Sequence, residues 1–541
     1  MTQPAPRGPL AAWSGSEKRW LVLLLVGATA LRLWCWQGLG YMDSTNYANA
    51  SMRLLHEGMA RNLGFHQTDR LGMLAPPAVC LELLGRSEFA AVAYFLAISI
   101  AELVLIPLLL ARIVAPRTAL VATAIFAIAP LAVRDATSNG ADNAMSVWAN
   151  LAMLLLIAAP AAQRLRWYAA GGFLLGLACL HKETGLLLLP VAGAITLFAE
   201  RDGLSPAVKR GAAGLLGFAV PMLVEAYLFR RWTGDALYRY HSIEGTHGPS
   251  LARMEQAGAL TRYFVYWPSN MLGSPQNFGV LVFLLPGALV LHVRDRLRSL
   301  GWPVALWFAF PALYTVFGTS VLSAWRPVLP YPRYLHFVLL PGSVLAAEAF
   351  AGRVGRTASA GLRRAAIALA AALLVTACLL NARGWESAAA GVSAVLFAAA
   401  ALRPKPPRLR LLAATLLLLP ATMALERALG RTRPDLDPER RALEFVHELG
   451  VPEIVSTSPT SRALALLSDL GEVPVPVTTT PNEQIESAVP GSVLIVSDLV
   501  AQRNARTRDS TGAPVLYELA RFPEDGDGRI RVLLRRGSPP R

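Results

Sequence analysis

The chain has 541 residues, 54% of them hydrophobic and only 16% charged, with a mean hydropathy of +0.42 and a formal net charge of +15. Ordinary soluble domains carry about 25% charged residues, so composition excludes a soluble enzyme, and a soluble α/β fold is further excluded because its buried strands are short. The positive charge does not point to nucleic acid, since most basic residues lie in short loops between apolar runs, where they set topology.

The N-terminal segment through Trp20 leads into the first apolar run without an obvious cleavage site, so that run reads as a retained span. About thirteen such runs follow one another, at 20–36, 89–111, 118–133, 144–160, 167–180, 185–199, 211–229, 278–293, 302–320, 335–350, 364–381, 387–402 and 409–425. A helix of roughly 17–25 apolar residues crosses a bilayer core. With the N-terminus inside, the inner segments hold twenty-one Lys and Arg and the short outer loops only five: Arg134, Lys182, Arg326, Arg333 and Arg383. Positive charge collects on the cytoplasmic side. An odd number of spans then places the C-terminal tail outside.

Two outer loops are long, 37–88 and 230–277. In the first, Tyr47, Ala50 and Leu54 recur at helical spacing and give one apolar face, expected to lie flat on the membrane. A second helix is expected to open at "APPAVCLELLG", because Pro suits a first turn. From about residue 430 the character changes. "PERRALEFVHELG" and "SRALALLSDLG" read as helices. "EIVSTS", "VPVPVTT", "SVLIVSD", "APVLYELARF" and "RIRVLLRR" read as strands, the last two around a turn at "PEDGDG". The expected architecture is an α-helical polytopic membrane module, 1–428, followed by a small extracytoplasmic α/β domain, 429–541. The nearest thing to a linker is "RPKPPRLR". Cys35, Cys80, Cys179 and Cys378 sit singly in apolar or helical contexts and read as packed thiols.

Polar groups at membrane depth cost free energy, so their placement is informative. Several gather at outer span mouths: Asp43; Arg134, Asp135 and Asp142 in "RDATSNGADN"; His181 and Lys182 in "HKET"; Arg333 and Tyr334 in "RPVLPYPRYLH". The second long loop adds Arg239, His241 and His247. Carboxylates can take a proton, and Lys and Arg can hold a phosphate, so this face suits a phosphorylated substrate. Each residue also has a plainer explanation. Asp43, with Ser44 and Thr45 as rivals, is placed to cap a helix, as are Asp135 and Asp142. Lys182 and Arg333 are placed to snorkel at the interface, and loop histidines are ordinarily surface groups. No HExxH and no D-x-D lies in an outer loop, so neither a catalytic metal nor another cofactor is expected.

These residues resemble the polytopic GT-C glycosyltransferases, specifically the bacterial relatives of protein O-mannosyltransferases and lipid A aminoarabinose transferases. An Arg-containing span followed by an acidic loop is matched by "LRLWCWQGLGYMDSTNY", with Arg32, Asp43 and Tyr47; the family's second acid is Ser44 here. A Pro-Pro helix start is matched by Pro76 and Pro77. An Arg followed by an Asp that opens the next span is matched by Arg134 and Asp142, a Lys-bearing turn by Lys182, and a late R-Y-L by Arg333 and Tyr334. The resemblance covers about residues 20–350. It implies transfer of a sugar from a polyprenyl-phosphate carrier to an acceptor hydroxyl on the outer face of the plasma membrane, usually with inversion. The residues then assign catalysis to Asp43 and Asp142 and donor phosphate binding to Lys182 and Arg333, supported by Tyr47, Arg134, His181, Tyr334 and His241. The partners are the lipid-linked donor, membrane lipid and an acceptor. Two other classes fit the same composition: a flippase of a lipid-linked substrate, and a non-catalytic subunit that keeps the fold. Transporters commonly place polar sites at mid-bilayer in broken helices, whereas these residues sit at span ends.

Overall fold

The computed structural model describes residues 11–40, 43–57, 68–162, 164–198, 203–246, 275–294, 301–318, 328, 332–352, 354, 357–380, 385–403, 409–428, 437–457, 460–470, 475–480, 493–497, 516–522 and 530–535. His247, the centre of the "RPKPPRLR" turn and the "PEDGDG" turn lie outside the described residues. The chain divides into two compact units. One comprises 1–36, 64–72 and 95–432; the other comprises 37–63, 73–94 and 433–541.

Helices dominate the first part of the chain: α1 (Gly15–Trp34), α2 (Asp43–Glu57), α3 (Leu71–Leu84), α4 (Glu88–Leu110), α5 (Pro116–Ala127), α6 (Pro130–Asp135), α7 (Ala141–Ala162), α8 (Leu165–His181), α9 (Leu189–Phe198), α10 (Leu204–Thr233) and α11 (Tyr238–Thr246). The start of α1 is written in its sequence. Ser14 accepts a hydrogen bond from the Glu17 amide, and the Glu17 carboxylate accepts from the Ser14 amide, forming a capping box. Among the described residues, three helices, α4, α7 and α10, are long and apolar enough to cross a membrane by length and composition. Shorter apolar helices accompany them, among them 281–292, 302–317, 388–401 and 410–423. The apolar run at 118–133 is divided between α5 and α6, where Pro130 opens the second piece. The run at 335–350 begins as a 3-10 helix, Pro332–Val338, before the α-helix Leu339–Phe350.

Helices α8 and α10 approach so closely at two glycines that not even a Cβ fits there. A Cβ on Gly172 would stand 1.9 Å from the Gly214 carbonyl oxygen, and one on Gly217 would stand 1.9 Å from that of Ala169. Small residues at such contacts let backbones pack directly, which is how spans associate where lipid is as apolar as the helices themselves. The same unit buries polar groups within its helices. Arg32 of α1 is fully buried, donating to the Ala28 and Ala127 carbonyls (3.2 Å each) and to Ser99 Oγ (3.3 Å). Glu102 of α4 accepts from Asn150 of α7 at 2.8 Å.

The second unit carries the mixed sheet. Its strands are β1 (Ile454–Thr457), β2 (Val477–Thr480), β3 (Val493–Ser497), β4 (Leu516–Phe522) and β5 (Ile530–Arg535), in the order β2-β1-β3-β5-β4. β1 runs parallel to β2 and β3, and β5 runs antiparallel to β3 and β4. All five fall on the apolar segments that the sequence marks as strands. The helix Asp437–Glu448 ends before Gly450, whose φ of 67° suits glycine.

Two expectations need correction. α3 opens at Leu71, not at Pro76, so Pro76 and Pro77 lie inside the helix. The apolar face of α2 does not rest on lipid. α2 packs on the helix Thr460–Asp469 of its own unit, and Tyr47 and Ala50 are 1% and 2% exposed. An amphipathic stripe records that something covers it, and here the cover is protein. Glu88 ties the same unit together, accepting from the Leu39 amide and from Arg440 Nη2, both at 2.7 Å.

Candidate active site

Four of the residues singled out in the sequence meet in the first unit. Asp142 is the second residue of α7. Lys182 is a single extended residue (φ −156°, ψ 134°) between α8 and a 3-10 helix, Glu183–Leu188. Its amide donates to the Ala178 carbonyl, and its own carbonyl accepts from Gly185, so the break between the two helices is one residue long. Lys182 Nζ stands 2.5 Å from Asp142 Oδ1, with both side chains largely buried. Arg333 Nε is 3.9 Å from the other carboxylate oxygen of Asp142. Tyr334 lies beneath both cations: Lys182 Nζ is 4.3 Å and Arg333 Cζ 5.5 Å from its ring centre. Cations over an aromatic face are attracted by the ring quadrupole. The arrangement is therefore two cations sharing one carboxylate and one ring, with Arg333 46% exposed in its side chain.

A second pair stands on the same elements. The 3-10 helix Pro332–Val338 turns once per three residues, so Arg333 and His336 share a face. His336 is buried, and its Nε2 lies 3.9 Å from Asp135 Oδ2. Arg134 reaches Asp135 at 3.3 Å and Asn277 at 3.3 Å. Asn143 donates to the Asp135 carbonyl and so closes the loop between α6 and α7.

Beside Lys182 runs a chain of alternating charge that the sequence alone does not assemble. Arg70 donates to both oxygens of Glu183, at 3.1 and 2.8 Å. Arg239 of α11 reaches Glu183 at 3.3 Å and Glu225 of α10 at 2.7 Å. Burial alone would push the Glu183 carboxyl up. Arg70, Arg239 and Lys182 outweigh it and hold the group well below the usual carboxylate range. Asp69, at the end of the same short segment, behaves oppositely. Burial pushes its carboxyl up to about 6, against the pull of Ser242, Arg239 and Arg70. One signal for this chain is present in the sequence, and one position carries none. Glu225 is an acid inside an apolar run, which calls for a partner; Glu183, next to Lys182 in "HKET", reads as an ordinary surface charge.

The remaining candidates lie elsewhere. His181 is buried at the end of α8, with Nδ1 2.8 Å from the Leu177 carbonyl. His241 is exposed and pairs on the surface with Asp235 at 2.7 Å. Asp43 and Tyr47 belong to the second unit. Asp43 is the first residue of α2 and half-buried, beside a turn in which Ser44 Oγ accepts from the Gly40 amide and Thr45 Oγ1 donates to the Gly40 carbonyl. Arg32 is committed to the helix interior. Among the described residues, no group of three or more His, Cys, Asp and Glu gathers as a metal site.

Residues 77–224 match the family model of the dolichyl-phosphate-mannose-protein mannosyltransferases. The fold is similar to that of ArnT from Cupriavidus metallidurans, in its form bound to undecaprenyl phosphate (TM-score 0.61, 14% identity, 95% of this chain and 98% of that chain). It is also similar to the apo form (TM-score 0.59, 14% identity, 96% and 98%). The family match covers about a quarter of the chain, within the helical part. The family named by the match uses a lipid-phosphate sugar as donor. At 14% identity the likeness to ArnT speaks for the fold alone. No single curated protein matches the chain by sequence. The matched segment contains Asp142 and Lys182. The similarity in fold agrees with a multi-pass membrane protein.

Proposed function

We propose that this protein is a GT-C glycosyltransferase that moves a sugar from a polyprenyl-phosphate carrier to an acceptor hydroxyl on the outer face of the plasma membrane, with inversion. Lys182 and Arg333 take the donor phosphate, Asp142 and Tyr334 hold them in place, and Asp43 takes the acceptor proton. The observation that carries this reading is the Lys182–Asp142–Arg333–Tyr334 group, in which two cations share one carboxylate and the guanidinium of Arg333 is half exposed, within reach of an anion.

The chemistry balances without a cofactor. The acceptor oxygen forms a bond to the anomeric carbon while the bond from that carbon to the phosphate oxygen breaks. The polyprenyl phosphate leaves with the electron pair, and the acceptor proton passes to Asp43. A phosphate is an acidic leaving group and needs no strong general acid. It needs cations where charge develops, and pre-placed charges act there without reorganising. A lipid-borne donor reaches such a site from the bilayer, which suits a protein built from some thirteen spans with the N-terminus inside. In that topology the sheet-bearing segment, 429–541, lies outside. A reporter that works only in the cytoplasm, fused at residue 430, should be inactive.

The role of Asp43 is tested by Asp43→Asn. Asn caps a helix about as well as Asp but takes no proton, and removal of a general base typically costs 10²–10⁴-fold in rate. The variant should express and fold normally and lose transfer. Near-full turnover would reduce Asp43 to a helix-opening residue.

A further inference from the structure

We infer that Glu183 is a positioning residue for the donor site: clamped by Arg70 and Arg239, it fixes the one-residue break that aims Lys182 at the phosphate. This rests on the reading of Lys182 as a phosphate-binding group and adds the device that holds it.

Lys182 is a lone extended residue between two helical segments, so its backbone direction sets where the ammonium stands. On its far side the backbone is tied by the Gly185-to-Lys182 hydrogen bond at 3.0 Å. The side chain next to Lys182 adds a stronger tie. Both oxygens of Glu183 are held by Arg70, and one of them also by Arg239, so the carboxylate is gripped from two directions.

Those two arginines come from different places. Arg70 lies in the short segment just before α3, late in the first outer loop, and Arg239 lies in α11, within the second. Arg239 is itself anchored by Glu225 on α10 and touches the Leu180 carbonyl at 3.5 Å. The Arg70 segment is also seated tightly. A Cβ on Gly72 would stand 2.7 Å from His181 Nδ1 and 2.8 Å from the Leu180 carbonyl carbon, so the chain there lies directly on the end of α8. Two loop segments thus converge on the residue following Lys182.

The charges explain why this clamp is not a second phosphate site. Arg239 is 1% exposed, and the guanidinium groups of Arg70 and Arg239 are engaged by Glu183 and Glu225. Lys182 and Arg333 share the carboxylate of Asp142, and Arg333 faces solvent. The anion is therefore drawn to the Lys182 side, and the clamp sets where that ammonium stands.

The test uses the full-length protein in nanodiscs with undecaprenyl phosphate as the probe, comparing dissociation constants at matched folded fraction. Glu183→Gln should weaken binding at least tenfold, and Glu183→Asp, which keeps the charge, should recover to within about threefold of the parent. In the Glu183→Gln background, Lys182→Ala should add less than twofold, because a mis-aimed lysine has little left to lose. Coupled residues depart from additivity in this way. Arg70→Met, placed outside the break, should weaken binding several-fold and decides the question if Glu183→Gln does not fold. Parent-like binding by folded Glu183→Gln or by Arg70→Met, or fully multiplicative losses with Lys182→Ala, would overturn the inference while leaving the phosphate reading intact. Failure of the parent protein to bind undecaprenyl phosphate would overturn both.

Discussion

Lys182 Nζ and Asp142 Oδ1 stand 2.5 Å apart, with side chains only 8% and 12% exposed. A buried pair of this kind is a commitment on both sides, because either charge left alone inside the protein is costly. The pair joins the N-terminal turn of α7 to the break after α8, and it places the ammonium over Tyr334.

The first prediction concerns that pair. Lys182→Met should destabilise the folded protein, by up to about 3–5 kcal/mol, since it leaves the buried Asp142 carboxylate with only the more distant Arg333. Lys182→Met combined with Asp142→Leu should cost less than Lys182→Met alone. Thermal midpoints in detergent decide the order, and a double variant less stable than the single would show that the pair is not a closed unit.

The second concerns donor use by the outer cation. Arg333 is half exposed and 3.9 Å from Asp142, which keeps its closer partner Lys182 when the arginine is removed. Arg333→Ala should fold as the parent does. Loss of a charge-assisted contact to phosphate costs about 1.5–3 kcal/mol, so the donor concentration for half-maximal transfer should rise at least tenfold. Unchanged donor dependence would remove Arg333 from the site.

The third follows from Asp69. Its folded carboxyl titrates at about 6 because burial disfavours the charge, while the unfolded group titrates near 3.8. A carboxyl raised in this way opposes folding once the unfolded state ionises. The penalty is absent well below pH 3.8, grows between about 4 and 6, and is complete above about 6. Asp69→Asn should remove that dependence, so the variant should gain stability relative to the parent as pH rises through this window. Parallel stability profiles for the two proteins across that range would contradict the assignment.

Much of this arrangement is legible in the sequence, and the gaps have physical causes. The five strands and the two helices of the C-terminal segment can be read because period 2 and period 3.6 survive in short apolar patterns. Asp142, Lys182, Arg333 and Tyr334 stand out because each is a polar group at the end of an apolar run. Glu183 does not, because a charge beside a charge reads as surface, and its partners Arg70 and Arg239 lie 113 and 56 residues away. The cover over Tyr47 is lost for a different reason: periodicity fixes which face is buried and is silent about what buries it.

The fourth prediction comes from that cover. α2 and the helix Thr460–Asp469 share a unit, and Glu88 binds Arg440 there. Truncation after residue 432 should therefore uncover Tyr47 and make the 43–57 segment sensitive to protease. Equal protection of that segment in the truncated and full-length proteins would contradict the packing.

The central claim is the reaction, and one measurement tests it directly. Purified protein is given a panel of undecaprenyl-phosphate sugars, each labelled in the sugar, together with a cell-envelope extract as acceptor. Label from at least one donor should move to an acceptor, no nucleotide sugar should substitute for that donor, and Lys182→Ala should raise the donor requirement at least tenfold. Folded protein that transfers from a nucleotide sugar, or that transfers from the lipid donor equally well with and without Lys182, would contradict the proposed reaction.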